Sequence, residues 1–201
     1  ENAVIVVTLP ENSSVEKPKE KDILKTVKKT RKKDDIEPYV DKVSNKPLIS
    51  DLPEAGKVEG TKKIEAFEAE EWTLSNGAKV VFKQTDFKND EILMTAFSYG
   101  GVSQYGIEDD ISARYADNII NRSGIGEFDE VELEKVLAGK IVSITPFIGE
   151  LQEGLRGNAT PEDFETLLQL THLYFTQPRK DLKAYGNFLS ERKDELKNRK
   201  L

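Results

Sequence analysis

Residues 72–84 read Trp-Thr-Leu-Ser-Asn-Gly-Ala-Lys-Val-Val-Phe-Lys-Gln, two short runs of strand-forming residues around Asn76-Gly77. Asn-Gly between alternating apolar residues is the strongest short-range sign of a β-hairpin, because glycine accepts the positive φ that a tight type I′ turn requires. The polar segment Asp86–Asp90 follows, and then Glu91–Tyr99 (EILMTAFSY) reads as a second long strand ended by Gly100-Gly101. Over 109–122 the period changes to that of a helix, with Ile111, Tyr115, Ala116, Ile119 and Ile120 in one half of the wheel. Asp129 with Glu132 three places on has the form of a capping box for a short helix running to Ala138. Ile141–Ile148 and Glu153–Ala159 read as two further strands with a turn at Gly149. Thr160-Pro161-Glu162-Asp163 reads as a helix start, with Thr160 as N-cap, and Phe164, Leu167, Leu168, Thr171 and Phe175 as one face. Pro178 closes that helix, and Leu182, Tyr185, Leu189 and Leu196 mark a last one.

The order β-β-β-α-α-β-β-α-α implies an α+β fold of two layers, helices on one face of a largely antiparallel sheet built from 72–83, 91–99, 141–148 and 153–158. The expected core is Trp72, Val80, Phe82, Leu93, Phe97, Ile119, Leu137, Ile144, Phe164, Leu168 and Phe175.

Upstream the composition changes. Glu16–Glu71 carries fourteen basic and fourteen acidic residues and almost no aromatic ones. Val4–Leu9 reads as a lone strand, the last strand of a preceding domain over 1–10. Residues 11–70 read as an extended linker with one helix over Lys19–Ile36, broken by Pro38, Pro47 and Pro53, and packing weakly on the domain over 71–201. The basic run Lys28–Lys33 meets Asp34, Asp35 and Glu37 directly, so it reads as a solvated face and not as a nucleic-acid or membrane patch.

Composition limits the chemistry. The 201 residues include 30 basic and 37 acidic side chains, a net charge of −7, which argues against a nucleic-acid partner. No cysteine excludes disulfides, thiol catalysis and thiolate metal sites. No apolar run has the length of a membrane span, and the opening ENAVIVVTLP lacks the basic n-region of a signal peptide. His172 is the single histidine, and mid-helix among apolar neighbours it reads as a partly buried imidazole with a local hydrogen bond. Gly124-Ile125-Gly126 follows a helix instead of opening one, so its amides are poorly placed to cradle phosphate.

The stretch TLSNGAKVVFKQTDF, then a strand, Gly-Gly and a helix, resembles the start of a domain in the insulinase/pitrilysin-like zinc metallopeptidases. FSYGG, NRSGIGEF, ELEKVLAGK and NATPEDFETLLQLTHLYFTQPRKD extend the resemblance along residues 71–180, towards the long bacterial members. In that family the helix carries H-x-x-E-H, two zinc-binding histidines with a glutamate that activates water. Long members have four related α+β domains in two halves joined by a helical linker; the first domain holds zinc and the third is its degenerate copy. The resemblance therefore implies a non-catalytic third domain over 71–201, truncated at its C-terminus, in a parent whose partners are its own other domains and peptide substrates. It implies zinc in the parent's first domain and none in this chain, and a bacterial envelope or periplasmic setting.

Registered on that pattern, Arg114 and Asn118 take the histidine positions and Asp117 the glutamate's. A guanidinium repels a metal and an asparagine amide is a weak zinc ligand, so neither a metal site nor a catalytic residue is expected. Asp117 is placed to pair with Arg114, the trio forming a solvated polar face or part of a chamber wall, and Glu195 reads as a surface charge. Two functions remain open: a substrate-enclosing segment of a zinc metalloendopeptidase, or a scaffold module from a catalytically dead relative.

Overall fold

The computed structural model describes residues 4–9, 16–33 and 46–199. They fall into two units, Glu1–Lys42 and Val43–Leu201. In the first, helix α1 (Glu20–Arg31) has Glu20 and Asp22 in its first turn and Lys28, Lys29 and Arg31 in its last, which complements the helix dipole, and it buries no residue. Residues 34–36 of the expected helix lie outside the described residues. Val4–Leu9 is exposed and makes no strand pairing among the described residues.

In the second unit the strands form two three-stranded antiparallel sheets, β1-β2-β3 and β4-β6-β5. The α+β class is as the sequence implies; the single sheet is not. Strand β1 (Val58–Ile64) pairs with β2 (Ala69–Leu74), which pairs with β3 (Lys79–Phe82). The hairpin sits where Asn76-Gly77 places it, with Trp72 opposite Val80 and stacked on Phe82 at 6.1 Å. Its turn is not type I′, because Gly77 (φ 84°) has positive φ and Asn76 does not. The Gly77 amide donates to the Leu74 carbonyl and the Ala78 amide to Asn76 Oδ1, a three-residue loop closed by a left-handed glycine.

The linker reading fails over 58–64, which is a sheet strand, and again at Leu48 and Ile49, which pack against the buried cluster Ile125, Leu170 and Leu173. Sparse apolar content misled because β1 (VEGTKKI) is held by its backbone ladder and not by burial.

Strand β6 (Gln152–Ala159) lies between β4 (Ile92–Tyr99) and β5 (Val142–Ile148). A Cβ on Gly154 would lie 1.9 Å from the Ala96 carbonyl oxygen, and one on Gly157 would lie 2.7 Å from Leu167 Cδ1. The first absence lets the strands close, and the second lets helix α4 (Phe164–Thr176) rest on the sheet. Leu155 and Ala159, two residues either side of Gly157 on the alternating pattern, are buried on the helix side, whereas Leu93, Phe97 and Tyr99 on the opposite face are exposed.

Helix α2 (Asp110–Arg122) buries Ala113; Ile111, expected inside, is exposed. The capping box of α3 (Glu130–Val136) is complete, Asp129 Oδ1 accepting from the Glu132 amide and Glu132 Oε2 from the Asp129 amide. Helix α4 begins three residues later than its expected cap. Thr160 closes a turn on the Asp163 amide, and Asp163 takes the N-cap position. The Asp163 carboxylate turns to the Ile141 amide at 2.8 Å and to Lys140 and Thr160, tying the helix start to the entry of β5. Those bonds, the Ile141 amide foremost, hold its pKa below the usual carboxylate value.

The core differs from the expected one. Leu167, Leu170 and Leu173 are buried on α4, while Leu168 and Phe175 are exposed. The helix reads FETLLQLTHLYFT, apolar almost all round, so periodicity alone does not choose its inner face. Val80, Phe82, Leu93 and Phe97 are exposed as well, and Trp72, Ile119, Leu137, Ile144 and Phe164 are half-buried. On helix α5 (Leu182–Asn198) the buried residue is Phe188, not the Leu182–Leu196 stripe. Among the described residues no helix is long and apolar enough to cross a membrane.

Leu170→Ala, at a side chain 1% exposed, should lower unfolding stability by about 2–5 kcal/mol in urea titration, whereas Phe175→Ala, at 67% exposure, should change it by about 0.5 kcal/mol or less. A depressed folded-state pKa contributes stability that is present above the unfolded value and lost as pH falls through the folded one. Asp163→Asn should therefore be less stable at neutral pH and show a shallower acid limb below the ordinary carboxylate range, read by circular dichroism against pH.

Candidate functional site

The motif-register residues lie on α2 beside the β5–β6 turn. Arg114 donates from Nε to Asp110 Oδ2 at 2.9 Å, one turn back, and its terminal nitrogens bracket both carboxylate oxygens of Glu150. Asp117, expected to pair with Arg114, instead accepts on Oδ2 from the Ile148 amide at 3.2 Å, at the end of β5. Its Oδ1 accepts from the Asn118 amide at 2.7 Å and from Asn118 Nδ2 at 2.8 Å. The trio thus shares a face, as its spacing implies, but each member is spent on an internal contact.

Electrostatics follow that geometry. The hydrogen bond from Arg114 holds the Asp110 carboxyl below its ordinary pKa, and the Asp110 and Glu150 carboxylates raise the Arg114 guanidinium further still. Arg114 is a permanent cation, and both oxygens of the neighbouring Asp117 carboxylate accept hydrogen bonds. The donor set does not fit zinc. Among the described residues no group of three or more His, Cys, Asp or Glu side chains is placed to hold a metal.

Glu195 pairs with Arg192 on α5 at 2.5 Å. His172 is half-buried on α4, and the hydrogen bond made there is through its carbonyl, which accepts from Thr176 Oγ1. Two partners were missed in the sequence. Asp110 lies four residues before Arg114, a spacing that signals a helical ion pair, and could have been found; Glu150 lies thirty-six residues away in sequence and could not.

What the arrangement does is mechanical. Arg114–Glu150 fixes the exposed side of α2 to the β5–β6 turn, and Asp117–Ile148 fixes the helix to the end of strand β5.

No family model matches the chain. It is 29% identical over 141 residues to the zinc protease PQQL-like of Arabidopsis thaliana, covering 70% of this chain and 12% of that protein. It is 27% identical over 128 residues to the probable zinc protease PqqL of Haemophilus influenzae, covering 63% of this chain and 14% of that one. The chain therefore spans about an eighth of the length of the curated relatives it matches. In fold it is similar to the periplasmic protease PqqL from Escherichia coli, with a TM-score of 0.71 at 19% identity, over 90% of this chain and 20% of that one. A mutant of the ferredoxin protease FusC in complex with Arabidopsis ferredoxin gives a TM-score of 0.62 at 24% identity, over 82% and 18%. The insulinase-like resemblance drawn from the hairpin and helix is thus matched by homologues named zinc proteases and by a shared fold over most of the chain, at low identity.

Asp117→Ala should leave the half-buried Ile148 amide without an acceptor and lower stability by about 1–3 kcal/mol. Arg114→Ala, at a solvent-screened pair, should lower it less. Equal losses in urea titration would contradict this division of roles.

Proposed function

We propose that this chain is a non-catalytic segment of a longer zinc-dependent metalloendopeptidase and helps to form the chamber that encloses its peptide substrates. The observation that carries the reading is a conjunction: relatives named zinc proteases match 63–70% of the chain, and the motif-register helix carries Arg114, Asp117 and Asn118, all engaged internally. Zinc and the water-activating base then belong to another domain of the same polypeptide, and those domains are this segment's partners. The open edge strands β4 and β5, beside the exposed apolar face of Leu93, Phe97 and Tyr99, support a wall that holds extended peptide by main-chain pairing and side-chain contact.

The test is made on the full-length polypeptide and on this chain in parallel, with a quenched fluorescent peptide as substrate. The full-length protein should hydrolyse it and lose activity to a zinc chelator. The isolated chain should do neither, with or without added zinc. A full-length protein that binds no zinc and cleaves nothing would favour the scaffold alternative. A one-to-one, submicromolar zinc site on the isolated chain, abolished by Asp117→Ala, would show that α2 is not a degenerate copy.

A further inference from the structure

Helices α2 and α5 flank an open groove of about 950 Å³. Its two walls carry apolar stripes, Ile111, Tyr115 and Ile119 on α2 and Leu182, Tyr185, Leu189 and Leu196 on α5, at the spacing of single helix faces. The stripes point into the groove and remain uncovered: Ile111 is 71% exposed, Leu182 73% and Leu196 57%. Two parallel apolar stripes form a seat for a third helix, whose axis would lie ~8–10 Å from each of the others. Helix α5, 17 residues long, offers a seat about 25 Å in length at ~1.5 Å per residue.

Charge narrows the occupant. In a chain of net charge −7, the groove is lined by Arg179, Lys180, Arg192, Lys193 and Arg199 against Asp181 and Glu195. The two acids are already paired, Asp181 with Arg179 at 3.7 Å and Glu195 with Arg192 at 2.5 Å. Lys180, Lys193 and Arg199 have no ion pair among the described residues and are left to face an occupant.

We propose that this groove receives an amphipathic α-helix with one apolar face and carboxylates along its margins, contributed by another part of the same longer polypeptide. A second copy of the chain fits poorly, because a two-fold pairing of this surface would set its cations against the same cations. Relatives of which this chain covers 12% and 14% have ample polypeptide to supply the helix. Only this source rests on the proposed function; the groove's chemistry is tested without reference to proteolysis.

The probe is a synthetic helical peptide of about 17 residues, long enough to match α5. It is built from Ala, Leu and Glu with Leu on one face and Glu on both margins, and compared with a twin in which Lys replaces Glu. Binding to the 201-residue chain is followed by fluorescence anisotropy at low salt. The Glu peptide should bind saturably, and the Lys peptide at least roughly tenfold more weakly. Leu196→Asp and Leu182→Asp should each abolish binding with the circular dichroism spectrum unchanged, and Lys180→Glu with Lys193→Glu should reverse the peptide preference. Equal binding of the two peptides, no binding of the Glu peptide, or a dimer in sedimentation that Leu196→Asp dissolves would overturn the proposal.

Discussion

The close approach of β4, β6 and α4 at Gly154 and Gly157 is the constraint from which the second sheet takes its form. With any side chain at 154 the β4 backbone would have to move away, because the Ala96 carbonyl already occupies that space. With one at 157, Leu167 would lose its seat, and with it the alignment that buries Leu170 and Leu173 against Ile125. Asp163 then locks the other end of the contact, joining the start of α4 to the first residues of β5 through the Ile141 amide. Steric absence at two positions and one carboxylate on a backbone N–H together set the helix layer over the sheet.

The same sheet also anchors the polar face of α2. A histidine pair and a glutamate on α2 would have to remain free to meet an ion. Here Arg114 reaches the β5–β6 turn and Asp117 the last amide of β5. A carboxylate that accepts from three N–H groups has little left to offer a cation. The polar atoms on this face of α2 are thus the ones that hold the helix to the sheet.

How legible this was in the sequence depended on range. The β2–β3 hairpin and the α3 capping box were read correctly, because each is decided by residues within a few positions of one another. The turn type was missed because a glycine in the left-handed region fits both a two-residue and a three-residue loop. The start of α4 was missed because Thr160 and Asp163 both have N-cap chemistry, and the choice was made by Ile141, nineteen residues upstream of Thr160. The division into two sheets, the inner face of α4 and the Arg114–Glu150 pair were decided by distant segments, and local pattern carries no record of them. Of the candidate site, the shared face of Arg114, Asp117 and Asn118 followed from their spacing, whereas the contacts with Glu150 and Ile148 did not.

The distribution of exposed apolar residues is the last consequence. Single exposed leucines are ordinary on any protein, but contiguous ones mark surfaces shaped for contact. Leu93, Phe97 and Tyr99 share one sheet face, with Phe97 and Tyr99 edge to face at 5.8 Å, and Arg156 stands 4.3 Å from the Phe147 ring. Ile111, Leu182 and Leu196 share the helix groove. Meanwhile, among the described residues, Val102, Ile125, Phe128, Leu155, Phe188 and the three α4 leucines are the larger apolar side chains that are buried. Covering such contiguous surfaces would add hydrophobic stabilisation that isolated exposed side chains do not offer.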